Sequence, residues 1–370
     1  MERPKIALMR PHVSESAIEA VATTLRSGWI GQGPKIQQFE EQFREQLHVP
    51  SAVAVNSAAA GLRLALAVAG VGPGDEVITT SLTWQATNHP ILEQGAVPVF
   101  ADIQPGTGNL EPTDVARRIT SKTKAILVFH WGGYPADLDE LNQIANQHNI
   151  FVVEEASEAF GAQYHDQFLG NISRFTVFSF YATQLITTAE GGMVVAKQSA
   201  DAVVTKRRRW FGIDREQRQA RLDGYYDYDT WEVGYPYPMT DMNAALGLAH
   251  LIDWQERWQR RADIAHQYRA ALATVSGVTP LMQADDRVSG HQLCTIHVER
   301  RDDFCRAMRE RGIQVGVVHV RNDQYTIFGG QRSDLPELDQ FSQSYINIPL
   351  HEGLTPTEVD HVIFSIQTGW

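Results

Sequence analysis

Short apolar runs that alternate with helix-patterned stretches set the strongest limit on how this chain folds. Val97–Ala101, Ala125–Phe129 and Phe151–Glu154 read as strands, and helix-like segments separate them. Ala52–Val55 reads as an earlier strand, and Gly72-Pro-Gly-Asp75 turns into another that ends near Thr79. Alternation of this kind predicts an α/β domain around a mostly parallel sheet. In such sheets a ligand sits beyond the carboxyl ends of the strands. Phe129-His-Trp-Gly-Gly-Tyr-Pro-Ala-Asp137 follows one such end, and Glu154-Glu-Ala-Ser-Glu-Ala159 another.

The flanks are patterned too. Ser14 or Ser16 is placed to cap a helix over Glu19–Leu25 that ends at Ser27-Gly28. Ser27-Gly-Trp-Ile-Gly-Gln-Gly-Pro-Lys-Ile36 carries three glycines and a proline and is a shaped loop. Phe39, Phe43 and Leu47 then recur at helical spacing. A long helix is expected from about residue 243 to 272. Beyond it come strands near His291–Val298 and Gln314–Val318. In the final helix Thr355 caps and Glu358 answers it three residues on. The expected division is a large domain over residues 1–245 and a smaller α/β domain over 246–370.

Composition narrows the function. The 370 residues carry a net charge of -12, which argues against nucleic acid or an anionic membrane as the main partner. Hydrophobic residues at 43% and charged residues at 21% suit a globular protein. The two cysteines, Cys294 and Cys305, imply no disulfide framework and suit a reducing, cytoplasmic setting. No apolar run is long enough to span a membrane. No spacing of His, Cys, Asp or Glu reads as a metal motif.

Several stretches could hold a ligand. Asn56-Ser-Ala-Ala-Ala-Gly-Leu62 precedes an apolar helix. Its free N–H groups and the helix dipole suit a phosphate, while its alanines suit tight packing equally well. Trp84 follows a strand and is either core or an aromatic platform. Lys206-Arg-Arg-Arg209 is either a solvated face or a substrate contact.

Ser179-Phe-Tyr-Ala-Thr-Gln-Leu-Ile-Thr-Thr-Ala-Glu-Gly-Gly-Met193 resembles the segment that bears the Schiff-base lysine in the DegT-type sugar aminotransferases, fold-type I pyridoxal-phosphate (PLP) enzymes. There the pattern reads Ser-Phe-x-x-x-Lys-x-x-Thr-Thr-x-Glu-Gly-Gly. His130-Trp-Gly-Gly and Val318-His-Val-Arg-Asn-Asp323 resemble one subgroup of that family. The resemblance covers nearly the whole chain. It implies a large domain with a mostly parallel sheet, a smaller C-terminal α/β domain, and a homodimer whose loop 27–36 reaches the neighbouring site. By resemblance Trp84 stacks on the cofactor ring, and Glu155 replaces the aspartate that meets the ring nitrogen. Glu158 replaces a His or Gln, and Ala58 and Ala59 replace a Gly-Thr phosphate contact. Ser179 is kept for a phosphate oxygen. Pro236 and Pro238 stand where polar residues reach the partner's phosphate. Trp29, Lys35, His89, Arg209, His319 and Arg321 are the residues expected to meet substrate.

The position of the lysine holds Gln184. A carboxamide is neither basic nor nucleophilic. The chain has six lysines, and the nearest in sequence is Lys197. The accompanying changes favour a protein that has drifted from PLP-dependent transamination over a single Lys→Gln knock-out. The expected function is a repurposed enzyme of amino-sugar or secondary-metabolite biosynthesis. Gln184, Glu155, Glu158 and His130 form its catalytic set, and the two glutamates and His130 do the acid–base work on a sugar-like or cyclic substrate. The first alternative uses PLP or pyridoxamine phosphate (PMP) without a covalent bond, with His89, His130 or Glu158 as base. The second is a non-catalytic partner or regulator of an active paralogue.

Overall fold

The computed structural model describes residues 6–370. Seven strands form its main sheet: β1 (Val53–Val55), β2 (Glu76–Thr80), β3 (Val97–Ala101), β4 (Thr123–Phe129), β5 (Phe151–Glu155), β6 (Phe175–Ser179) and β7 (Gly192–Ala196). Their spatial order is β1-β7-β6-β5-β4-β2-β3. The β3, β2, β4, β5 and β6 ladders are parallel, and β7 runs antiparallel to both β6 and β1. A parallel neighbour needs a crossover helix, whereas an antiparallel one needs only a returning loop. The chain therefore turns back directly over residues 180–191 between β6 and β7.

The sheet is buried on both faces, as its unbroken apolar runs require. Ala125 and Leu127 of β4 enter one cluster with Leu62, Leu66 and Val177. Ile126 and Val128 enter the other with Phe39, Phe43 and Phe178. The side-chain period of two makes that division. Helices α1 (Glu15–Ser27), α2 (Pro34–Gln46), α3 (Ala58–Val68), α4 (Gln85–Glu93), α5 (Pro112–Arg118), α6 (Leu138–Gln147) and α7 (Ser199–Arg208) surround it. Leu62 and Leu66 lie on α3, and Phe39 and Phe43 on α2, so these two helices cover opposite faces. Each fully buried Phe contributes about 1.5–3 kcal/mol. The Ser14 hydroxyl caps α1 by accepting the Ala17 N–H, and Gly28 ends the helix at φ 79°.

The expected helix over 243–272 is two helices, α8 (Asp241–His250) and α9 (Trp254–Leu272). Arg257 accounts for the break. Its guanidinium takes the His250 carbonyl and the Asp253 carboxylate, so the end of α8 is satisfied by a side chain instead of by continuing helix. The second sheet contains β8 (Val278–Pro280), β9 (Cys294–Val298) and β10 (Tyr345–Ile348), all antiparallel. Helices α10 (Arg301–Glu310), α11 (Pro336–Ser344) and α12 (Pro356–Gln367) complete the chain, and α12 opens with the expected Thr355–Glu358 capping box. Residues 314–318 do not form the expected strand. They touch a ladder only through Gly316 and Asn347, because the chain then leaves for the carboxyl end of the main sheet. Among the described residues no helix is long and apolar enough to cross a membrane.

Asp241 ties the loop at 27–33 to α8. Its buried carboxylate accepts from Gly33 N and Ile36 N at 3.0 and 3.2 Å, and from Lys35 N at 3.1 Å. These are the orphan donors of α2. Asp241→Ala is expected to lower stability by about 2 kcal/mol in urea unfolding, and Asp241→Asn by less. Equal midpoints for Asp241→Ala and the native chain would show that the cap adds nothing.

Candidate active site

Four loops and one helix end meet at the carboxyl edge of the main sheet. Glu155 is the last residue of β5, and Ser179 the last of the adjacent β6. Gln184 lies in the β6–β7 loop, half-buried. The His130–Gly133 turn leaves β4, the loop bearing Trp84 leaves β2, and α3 begins just after β1.

Glu155 is 3% exposed. Its Oε1 accepts from Ser157 N at 3.2 Å and from the Ser157 hydroxyl. Burial, reinforced by the nearby Glu158 carboxylate, pushes its carboxyl up to about 7, against the pull of the Ser157 hydrogen bonds and of His319. Glu158 is tied on both oxygens: Oε2 accepts the Gly132 N–H at 2.8 Å, and Oε1 meets His319 Nε2 at 2.6 Å. His319 Nδ1 is buried without a hydrogen-bond partner. Phe129 and Trp131 wall the imidazole, with ring centroids 5.7 and 5.8 Å away. Two carboxyls and an imidazole thus gather around one strand end. Carboxyls and an imidazole placed together are the side-chain types that take up and release protons in general acid–base catalysis.

His319 arrives from far along the chain on a segment bolted to the Trp84 loop. Asn322 Nδ2 donates to Thr83 O at 2.6 Å, and Asn88 Nδ2 donates to Asn322 Oδ1 at 3.1 Å. Ser81 Oγ donates to Asp323 Oδ1 at 2.7 Å. Arg321 is therefore structural: it is buried and grips Asp323 at 2.7 and 2.6 Å, and it also pairs with Asp339.

Other expected residues fall elsewhere. His130 is fully buried on the opposite face from Glu155. Its Nδ1 accepts the Ala136 N–H at 3.1 Å, so the ring proton sits on Nε2, which donates to Glu154 Oε2 at 3.1 Å. Glu154 and Glu155 are consecutive in a strand and point to opposite faces, which separates His130 from the Glu155 group. Arg209 is 4% exposed and committed to Glu40 and to Ala54 O, so it is not a free substrate contact. The rest of the basic run is also paired, Lys206 with Glu216 and Arg207 and Arg208 with Glu232. Lys35 Nζ lies on exposed α2 against Gln38 Oε1 at 3.2 Å. Trp29 is exposed and lines a separate cleft with Glu40, Trp210 and Arg215. His89 packs edge-on to Phe328, with its Nε2 unpartnered.

The Gln184 loop is held by residues that no sequence signal had marked. Gln292 Nε2 donates to Thr183 O at 3.0 Å, Arg257 donates to Leu185 O, and Thr187 N donates to His250 Nδ1 at 3.2 Å. No described lysine is placed at this edge. Lys35, Lys197 and Lys206 are bound to Gln38, Ile172 O and Glu216, and Lys122 and Lys124 flank the opposite, amino-terminal end of β4. Lys5 lies outside the described residues.

The helix end beside β1 is open to a ligand at its first two residues. Ser57 caps α3 by accepting the Ala60 N–H, which leaves the Ala58 and Ala59 N–H groups without a cap. Gly192 makes this approach possible, since a Cβ there would lie 2.8 Å from Ala58 N. Ser179 Oγ accepts the Tyr181 N–H at 3.2 Å and keeps its own proton to donate. Trp84 is 54% exposed, so it is not core.

Residues 11–367 match the model of the DegT/DnrJ/EryC1/StrS aminotransferase family. The spore coat polysaccharide biosynthesis protein SpsC of Bacillus subtilis (strain 168) is 34% identical, over 96% of this chain and 95% of that protein. The crystal structure of the sugar aminotransferase CalS13 from Micromonospora echinospora superposes with a TM-score of 0.94 at 34% identity, covering 99% of this chain and all of that one. The PMP form of the putative sugar aminotransferase Spr1654 from Streptococcus pneumoniae gives a TM-score of 0.92 at 31% identity, with 98% of each chain covered.

The raised Glu155 carboxyl has a signed consequence. The folded state holds a proton that the unfolded chain releases above about 4.5, so the stability it contributes is full below that pH and is lost as pH rises through about 7. Glu155→Gln has no such proton to lose. Relative to the native chain it is expected to gain on the order of 3 kcal/mol between pH 5 and pH 8. Denaturant midpoints across that range measure it, and a difference that does not change with pH would place an ordinary carboxyl at 155.

Proposed function

We propose that this chain, which belongs to the DegT/DnrJ/EryC1/StrS aminotransferase family, is a sugar-aminotransferase-like enzyme that acts on a sugar-like or cyclic substrate without a lysine-bound cofactor. The observation that carries this is the group of Glu155, Glu158 and His319 beside a loop whose motif offers Gln184 where the family pattern has lysine. Polysaccharide, amino-sugar or secondary-metabolite biosynthesis is the setting that the named relatives suggest. Homodimerisation through the loop at 27–36, with its exposed Trp29 and Ile30, and a cytoplasmic location belong to the same proposal. So does the division into a large unit to residue 245 and a small one beyond it.

His319 and Glu158 are the acid–base pair. A base here removes a proton from a carbon next to a substrate carbonyl, and the paired group returns it. Burial raises the Glu155 carboxyl to about 7, so near neutrality a large share of it is protonated, and that form donates a hydrogen bond to a substrate oxygen. Gln184 orients substrate hydroxyls through its carboxamide and moves no proton.

A specific observation favours a second reading, in which PLP or PMP is held without a covalent bond. The Ala58 and Ala59 N–H groups and the Ser179 hydroxyl are the right donors for a phosphate. Trp84 offers a ring face, and Glu155 a hydrogen bond for a ring nitrogen. Such a cofactor, when bound, supplies electron withdrawal at the substrate carbon. Gln184 gives it no covalent anchor.

Proton exchange separates the roles. With a nucleotide-linked ketosugar in deuterated buffer, the native protein is expected to exchange the proton next to the carbonyl. Glu158→Gln and His319→Asn should each slow exchange by about 100-fold or more. Absence of exchange in the native protein, or variant rates equal to the native rate, removes this pair from catalysis.

A further inference from the structure

The carbonyls on either side of Gln184 are held by two arms that start from one carboxylate, Glu352, between β10 and α12. In the first arm Arg261 Nε donates to Glu352 Oε2 at 2.8 Å, and Arg261 Nη1 donates to Gln292 Oε1 at 2.7 Å. Gln292 Nε2 then donates to Thr183 O at 3.0 Å. In the second, Arg257 Nη1 lies 3.6 Å from Glu352 Oε1 and donates to Leu185 O. Arg257, Arg261 and Gln292 are 7%, 2% and 4% exposed, and the Glu352 side chain 7%. Burial opposes the Glu352 charge, but Arg261 and Arg257 outweigh it, and the carboxyl lies below its usual range. Asp253, the other carboxylate on Arg257, has a side chain 42% exposed and is the weaker anchor. Gln184 itself is held only through its backbone. Its N–H donates to Tyr181 O at 3.0 Å, and its carboxamide has no hydrogen-bond partner among the described residues. The backbone on either side therefore sets where that carboxamide points.

We propose that Glu352 is a positioning residue for Gln184. Its carboxylate fixes Arg257 and Arg261, and these fix Leu185 O directly and Thr183 O through Gln292. Thr183 O belongs to the peptide unit that enters Gln184, and Leu185 O to the unit that leaves the next residue. Peptide units are planar, so holding one on each side limits rotation of the backbone between them. The carboxamide is thereby offered to substrate in one orientation. The inference rests on the reading of Gln184 as the group that orients substrate hydroxyls.

Hydrogen–deuterium exchange and steady-state kinetics on the full-length protein test this. In Glu352→Gln the amides over 183–189 are expected to exchange about 10-fold faster than in the native chain, with those of β4 and β5 unchanged. Gln292→Met leaves both ion pairs in place and should speed the same segment several-fold, so the test survives if the glutamate variant does not fold. With the nucleotide-linked ketosugar, Glu352→Gln should raise KM about 10-fold and change kcat by less than about 3-fold. Gln184→Ala should do the same, and the double variant should be no worse than Gln184→Ala alone. A role in stability alone would lower the folded fraction, and with it kcat, and would leave KM where it is. Native loop exchange in both variants, or KM effects that add in the double variant, would overturn the role of Glu352. Absence of turnover in the native protein would overturn the reading of Gln184 instead, and the loop exchange would still decide whether Glu352 holds the loop.

Discussion

Two consecutive glycines hold the molecule's functional edge together. Gly132 and Gly133 adopt φ 63° and 90°, a backbone that other residues rarely enter. A Cβ on Gly133 would collide with the Glu158 carbonyl and would crowd Gly290 at 3.2 Å. The tight turn lets Gly132 N reach Glu158, while the Gly132 carbonyl accepts from Gln292 N and Leu293 N and the Gly133 carbonyl from Gly290 N. Strand β4, the turn after β5 and the approach to β9 are joined at one point. The position of Glu158 and the clamp of Gln292 on the Gln184 loop both follow from it.

The electrostatics of the edge differ from one side of the sheet to the other. On one face Glu154 accepts hydrogen bonds from His130 Nε2 and from Ser173 N. On the other, Glu155 has no cation in contact among the described residues and its carboxyl is raised to about 7, while Glu158 accepts the Gly132 N–H and meets His319 Nε2. A buried carboxylate without a partner is costly, and that cost is what makes Glu155 an acid near neutrality. No described lysine amine is placed at this edge.

Much of the fold was legible because local rules and tertiary need agree. Periodicity marked the parallel strands, Ser14 and Gly28 bounded α1, and Thr355 with Glu358 opened α12. Glu155 and Glu158 could be placed at a strand end from the pattern of β5 alone. His130 could not: it depends on which face each of two adjacent glutamates takes, and a shift of one residue reverses the answer. Arg209 was expected to meet substrate because its partner, Glu40, is joined to it only by folding; Arg321 pairs with Asp323 two residues on, and folding adds Asp339. The break between α8 and α9 was hidden for the same reason, since Arg257 reaches back across it.

The central claim is that this site works without a lysine-bound cofactor. The most direct measurement is peptide mass spectrometry of the native protein after incubation with PLP and reduction by borohydride. The expected result is no stoichiometric phosphopyridoxyl addition to any lysine of the native chain, with such an addition appearing at position 184 in Gln184→Lys. Stoichiometric addition to a single lysine of the native protein would contradict it.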